Sequence, residues 1–209
     1  MTPDTIHSLT QSALPWLDLA GISVFAVSGA LAAARAGQTM VTFAFFASVT
    51  AIGGGTMRDL LIGAPVFWMH DPVWISACLV VAVAVWFTPQ RLWPLRAVEW
   101  FDAVGLAAYA VYGSGKALAY GIPPLPAAIM GVVTACLGGI LRDMLAGTPS
   151  IVMRPELYVT AAAVASGLYV ALTSAGVEPW VAAGLGAGAG FALRALALLR
   201  GLALPGYHR

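Results

Sequence analysis

Thr50-Ala51-Ile52-Gly53-Gly54-Gly55-Thr56-Met57-Arg58-Asp59 reappears 84 residues later as Thr134-Ala135-Cys136-Leu137-Gly138-Gly139-Ile140-Leu141-Arg142-Asp143. The match extends to both sides in the same register. Trp16-Leu17-Asp18 falls on Trp100-Phe101-Asp102, Ala26-Val27-Ser28-Gly29 on Ala110-Val111-Tyr112-Gly113, and Gly63 and Pro65 on Gly147 and Pro149. Between residues 16–69 and 100–153, 20 of 54 positions are identical without a gap. Shared composition would scatter Ala and Gly matches, but it does not align Asp, Arg-Asp, Gly and Pro together. The chain therefore reads as a duplication.

Each copy is embedded in apolar sequence. Of 209 residues, 60% are hydrophobic and 9% charged, and ten Lys/Arg against nine Asp/Glu leave a net charge of +1. Soluble domains carry roughly a quarter charged residues, so a soluble globule is excluded. Disorder requires low hydrophobicity and high charge. A nucleic-acid binder requires a basic excess, which is missing here. Cys78 and Cys136 lie inside apolar runs, which rules out a disulfide scaffold. Met1-Thr2-Pro3-Asp4 lacks the basic start of a cleavable signal. An integral membrane protein remains.

A spanning helix needs about 20 mostly apolar residues, and seven stretches qualify: 16–35, 40–62, 72–88, 98–119, 124–146, 155–173 and 179–199. Their apolar runs are continuous and do not alternate, so helices are read rather than barrel strands. The fold class is all-α, with two inverted three-helix repeats plus a seventh helix. The organisation is an extracytoplasmic tail (1–15), repeat 1 (16–88), a cytoplasmic linker (89–97), repeat 2 (98–173), the seventh span (179–200) and a cytoplasmic tail (201–209). An odd number of spans per repeat makes the second copy enter from the opposite face, as in many transport proteins. Loops on one side carry Arg35, Arg91, Arg96 and Arg154, and the tail adds Arg200 and Arg209. Connections on the other side have no Lys or Arg. Positive charge stays in the cytoplasm, so the N-terminus is placed outside and the C-terminus inside the cell membrane. Trp16, Trp68, Trp74, Trp93, Trp100 and Trp180 fall near span ends, where interfacial aromatics belong.

The candidate functional residues lie on the repeat. Gly53-Gly54-Gly55 and Gly138-Gly139 stand inside spans two and five. Glycine costs a helix interior about 1 kcal/mol relative to alanine, and the spacing predicts a kink or local unwinding at both places. Freed carbonyls could then coordinate a cation along a water-filled path. Close helix packing is the competing use of such glycines. Asp18, Arg58, Asp59, Asp102, Arg142 and Asp143 are intramembrane charges, which face the protein interior or a water cavity. Residues at i and i+1 do not face each other on a helix, so each Arg needs a distant partner. The topology predicts the pairs Asp18–Arg58 on the outer side and Asp102–Arg142 on the inner side. Lys116, the only lysine, stands where the first repeat has Ala32. It reads either as a side chain snorkelling to the interface or as a charge on the pathway. Ser23, Ser28, Ser48, Thr50, Tyr109, Tyr112, Ser114 and Thr134 could add hydroxyls to a polar interior. Gly184, Gly186, Gly188 and Gly190 in the seventh span form small-xxx-small pairs and read as helix-packing residues. No catalytic constellation is visible: His7, His70 and His208 are too scattered to bind a metal, and no Walker-type loop follows the glycines.

Phe25-Ala26-Val27-Ser28-Gly29-Ala30, Gly53-Gly54-Gly55-Thr56-Met57-Arg58-Asp59 and Gly138-Gly139-Ile140-Leu141-Arg142-Asp143, within seven spans, resemble the prokaryotic trimeric intracellular cation (TRIC) channels. The resemblance covers residues 16–200. It implies a homotrimer in lipid with a K⁺ and Na⁺ pore in each subunit, lined by kinked spans two and five. No cofactor and no enzymatic activity are expected. Bacterial relatives are also labelled glycine-transporter-domain proteins. The expected function is passive monovalent-cation conduction. The alternatives are secondary transport of a small solute such as glycine and a structural or assembly subunit.

Overall fold

The computed structural model describes residues 3–94 and 96–205, with the backbone alone described for 3–17 and 90. Trp16 and the whole tail expected over 1–15 thus lie outside the described side chains, and 206–209, with His208 and Arg209, lie outside the described residues. Eight α-helices follow in order: α1 Pro3–Arg35, α2 Met40–Leu61, α3 Phe67–His70, α4 Val73–Phe87, α5 Ala97–Ala119, α6 Pro124–Leu145, α7 Val159–Ser174 and α8 Pro179–Arg200. Gln90–Leu92 and Ile151–Met153 are single 3₁₀ turns. Each of the seven apolar stretches lies on one of these helices. The short α3 was not visible in the pattern, because four residues are too few to show a helical period.

Among the described residues, four segments are long and apolar enough to cross a bilayer: Asp18–Arg35, Met40–Ile62, Pro124–Leu145 and Pro179–Arg200. Helix α5 is as long, but it carries Glu99, Asp102 and Lys116. Helices α4 and α7 have 15 and 16 residues, about 22–24 Å at 1.5 Å per residue. The α7 start falls after the proline at 155, because the preceding turn at Ile151–Met153 and an extended Arg154 occupy the approach.

The helix ends are set by local chemistry. Thr39 caps α2, its hydroxyl accepting from the Thr42 N–H at 3.4 Å. The Glu178 carboxylate accepts from Trp180 and Val181 N–H at 2.9 and 3.1 Å, and so caps α8. Gly63 and Gly147 follow α2 and α6 at φ +69° and +66°, the left-handed turn that ends a helix without Cβ strain.

Helix α2 crosses α6 at the centre. Helix α1 flanks α2, α4 and α5, and α5 packs on α6, α7 and α8. The core is built of Ala, Phe, Ile and Leu, among them Ile22, Phe25, Phe46, Leu106, Ala135 and Ala165. Phe45, Leu60, Leu61, Val80, Leu125, Met144 and Leu185 point outward and are exposed. An apolar outer surface over a core that holds charge is the arrangement of a membrane protein.

Candidate functional site

The glycine runs do not interrupt their helices. Both α2 and α6 are continuously helical through Gly53-Gly54-Gly55 and Gly138-Gly139. The expected unwinding, with carbonyls released to a path, is therefore corrected: the glycines bring two backbones together. A Cβ on Gly54 would fall on the carbonyl oxygen of Thr134, and a Cβ on Gly138 would fall on that of Thr50. The two contacts are equivalent at the 84-residue shift, so they form one symmetric crossing. Gly53 faces Leu141, Gly55 faces the Phe67 ring, and Gly139 faces Tyr158 and Asp102. A helix whose carbonyls stay bonded internally avoids the cost of an unsatisfied group in lipid, which is why packing prevails over unwinding.

A buried charge cluster lies to either side of this crossing. In the first, Arg58 is 1% exposed and Asp59 is fully buried. Arg58 Nε and Nη2 both stand 2.8 Å from Asp59 Oδ1. Lys116 Nζ reaches the same oxygen at 2.8 Å from α5. Asp59 Oδ2 accepts the Phe67 N–H at 3.2 Å. The Arg58 guanidinium lies over the Tyr112 ring, 5.1 Å from its centroid. Tyr112 in turn donates its hydroxyl to Asp18 Oδ2 at 3.1 Å, and Tyr109 donates to Asp18 Oδ1 at 2.5 Å.

In the second cluster, Arg142 Nε and Nη2 stand 2.9 and 2.8 Å from Asp143 Oδ1. Its Nη1 donates to Asp102 Oδ1 at 2.5 Å and to Ser28 Oγ at 2.6 Å. Asp143 Oδ2 accepts the Ile151 N–H at 2.8 Å. Ile151 is the repeat counterpart of Phe67, so each motif aspartate holds the turn that follows its helix.

Two pairing expectations are corrected here. First, Arg58–Asp59 and Arg142–Asp143 are ion pairs between sequence neighbours. The aspartates sit in the final helical turn and are anchored to the next turn's N–H, and the long arginine stem wraps to meet them. Second, the Asp102–Arg142 pair forms, but Asp18–Arg58 is not an ion pair among the described residues. Tyr112 stands between them. Its counterpart is Ser28, small enough to let Arg142 pass to Asp102. Lys116 neither snorkels freely nor stands alone. Its partner was not foreseen, because its position breaks the repeat. Asp18 and Ser28 belong to different clusters on α1, and Asp102 and Tyr112 to different clusters on α5, so the two helices run in opposite directions between them.

Arg194 was overlooked as a site residue. It is fully buried in α8, 2.8 Å from Glu156, with its guanidinium 5.3 Å from the Tyr158 ring centroid. An arginine in the apolar run Phe191-Ala192-Leu193-Arg194-Ala195-Leu196 was the available signal. Gly186 and Gly190 pack against α7 at Ala165 and Ala161, whereas Gly184 and Gly188 have nothing within 4 Å.

Comparison with known proteins agrees with this geometry. A sequence-family model described as "Glycine transporter" matches twice, at residues 15–90 and 99–174. A UPF0126 membrane protein of Vibrio cholerae is 42% identical over 163 residues, covering 76% of this chain and 67% of that protein. The UPF0126 inner membrane protein YadS of Escherichia coli K12 is 38% identical over 151 residues, covering 70% and 72%. The crystal structure of the TRIC trimeric intracellular cation channel orthologue from Rhodobacter sphaeroides superposes with a TM-score of 0.84 at 42% identity, covering 92% of this chain and 100% of that one. With its doubled Arg-Asp motif, its glycine crossing and a structural match over 92% of its length, the chain belongs to the TRIC channel family, whose repeat carries the glycine-transporter description.

Proposed function

We propose that the protein is a passive channel for monovalent cations, K⁺ and Na⁺, with a pathway inside each subunit between α2 and α6. The observation that carries this reading is the pair of buried charge clusters at the two ends of one helix crossing within a single chain. Charges at membrane depth mark ion pathways, and the path runs beside the contact of Gly54 and Gly138, where the two backbones themselves touch. The Lys116–Asp59 pair occupies the first end, so a cation can use the Asp59 carboxylate only when the lysine moves. One elementary charge crossing the full field is worth about 2.3 kcal/mol per 100 mV, and a single lysine moving through part of it gives shallow voltage dependence.

The R. sphaeroides structure is described as a trimeric intracellular cation channel, which supports both the cation and a homotrimer. The arginine-rich loops support an N-terminus outside the inner membrane and a C-terminus in the cytoplasm. The opposite directions of α1 and α5 support two inverted three-span repeats with α8 as the seventh span. The description of the matching family favours a second reading, coupled transport of glycine. Reconstitution of the purified protein in planar bilayers separates the two. Discrete unitary K⁺ currents support the channel, whereas saturable glycine uptake without unitary currents supports the transporter.

A further inference from the structure

The two charge clusters are covered differently. After each motif helix the chain turns at a left-handed glycine, Gly63 or Gly147, and returns an N–H to the motif aspartate. In the second half that N–H belongs to Ile151. Its side chain is buried in the wall of a cavity of about 320 Å³, which reaches Asp143 between Arg35, Glu99 and Arg154. The second cluster is thus open to the surface through this cavity.

In the first half the same place carries an aromatic ring. Phe67 lies on Gly55, where a Cβ would stand 2.8 Å from the ring and 3.5 Å from Arg58 Nη2. The ring therefore lies against the cluster. Lys116 Nζ is 5.9 Å from the ring centroid while it pairs with Asp59 at 2.8 Å. Trp74 meets the ring edge-on at 5.8 Å, and the Trp68 indole N–H donates to Thr56 Oγ1 at 2.9 Å. An apolar constriction of this kind closes a path by excluding water.

This cover is lightly held. No residue of α3 is buried, and Met69 is 68% exposed. The segment is bounded by Gly63 at one end and at the other by Asp71, whose carboxylate accepts the Val73 N–H at 2.9 Å at the start of α4. Segments with little buried apolar area open locally at low free energy. We propose that Phe67 is the gate of the path at the first cluster. Its ring closes the path when seated on Gly55, and the segment 63–71 swings about its two ends to open it. The inference rests on the cation-pathway reading and adds to it the residue that closes one end, while the other end stands open through the cavity beside Asp143.

The test is single-channel recording of Phe67→Cys before and after treatment with benzyl or methyl methanethiosulfonate, with Gly55→Ala recorded beside it. Cys78 and Cys136 are buried, and treated wild type controls for them. Loss of the ring should raise open probability severalfold in Phe67→Cys. The benzyl adduct rebuilds a ring and should restore the wild-type value, whereas the methyl adduct should not. In Gly55→Ala the new Cβ displaces the ring, so open probability should rise there too. A merely structural role for Phe67 would leave the two adducts alike. Unchanged open probability in Phe67→Cys, or equal restoration by both reagents, overturns the gate and leaves the channel reading standing. If Phe67→Cys does not fold, unchanged open probability in Gly55→Ala overturns it. Glycine uptake by wild type without unitary currents rejects the channel reading instead. The same variants and adducts are then read by uptake rate, where the same pattern supports the gate and its absence overturns it. Neither currents nor uptake in wild type rejects both.

Discussion

Gly54 on α2 lies directly against the backbone carbonyl of Thr134 on α6, and its symmetric partner Gly138 lies against Thr50. The two repeats thus meet through main chain at four positions that the duplication relates. Backbone cannot give way as a flexible side chain can, so this crossing sets the distance between α2 and α6.

Gly54→Ala and Gly138→Ala should therefore destabilise the protein. Overpacking costs about 1–3 kcal/mol, and the carbonyl contact puts these sites at the upper end or beyond. Gly188→Ala meets open space and gains helix propensity, up to about 1 kcal/mol. Thermal unfolding in one detergent should show melting temperatures falling for the first two variants and holding or rising for the third. Equal effects at all three sites would refute the packing role.

The two equivalent aspartates should differ in cost. Asp102→Ala removes a partner of buried Arg142, and breaking a buried pair costs about 3–5 kcal/mol. Asp18→Ala releases two tyrosine hydroxyls and strands no bonded cation, a loss of about 1–3 kcal/mol. Denaturation of the two variants side by side checks the order, and a larger loss for Asp18→Ala would contradict it.

Residue 112 decides the pairing of the first cluster. Tyr112→Ser gives that half the serine its counterpart has at position 28, and Arg58 should then reach Asp18. A double-mutant cycle between Asp18→Ala and Arg58→Met should show stronger coupling in the Tyr112→Ser background than in wild type. Unchanged coupling would mean that Tyr112 is not the barrier.

Lys116→Met should leave Asp59 with Arg58 as its one cationic partner and raise open probability, with weaker voltage dependence, in single-channel records. Unaltered gating in this variant would remove Lys116 from the pathway.

Much of this was legible in the sequence. Continuous apolar runs located the helices, and the Asp, Arg-Asp, Gly and Pro matches revealed the duplication, because lipid tolerates such residues only for a reason. The charge pairing was half legible. Asp102 and Arg142 meet as their topology predicts, but a bulky Tyr112 in place of a small Ser28 redirects Arg58, and side-chain size at a third position is not part of a pairing rule. The Lys116–Asp59 contact was hidden because a residue that breaks the repeat has no symmetric image to locate its partner. The glycines were found but misread. A glycine run shows that side chains are absent, and only the facing Thr50 and Thr134 carbonyls show that another backbone fills the space. Arg194 lies outside the duplication, so the matches did not point to it.

The central claim, a cation pathway within each subunit of a trimer, is tested most directly by recording purified wild-type protein in planar bilayers under a KCl gradient. Openings to three equally spaced conductance levels, reversing towards the K⁺ equilibrium potential, are predicted. A single indivisible level, reversal towards the Cl⁻ potential, or glycine uptake without unitary currents would contradict it.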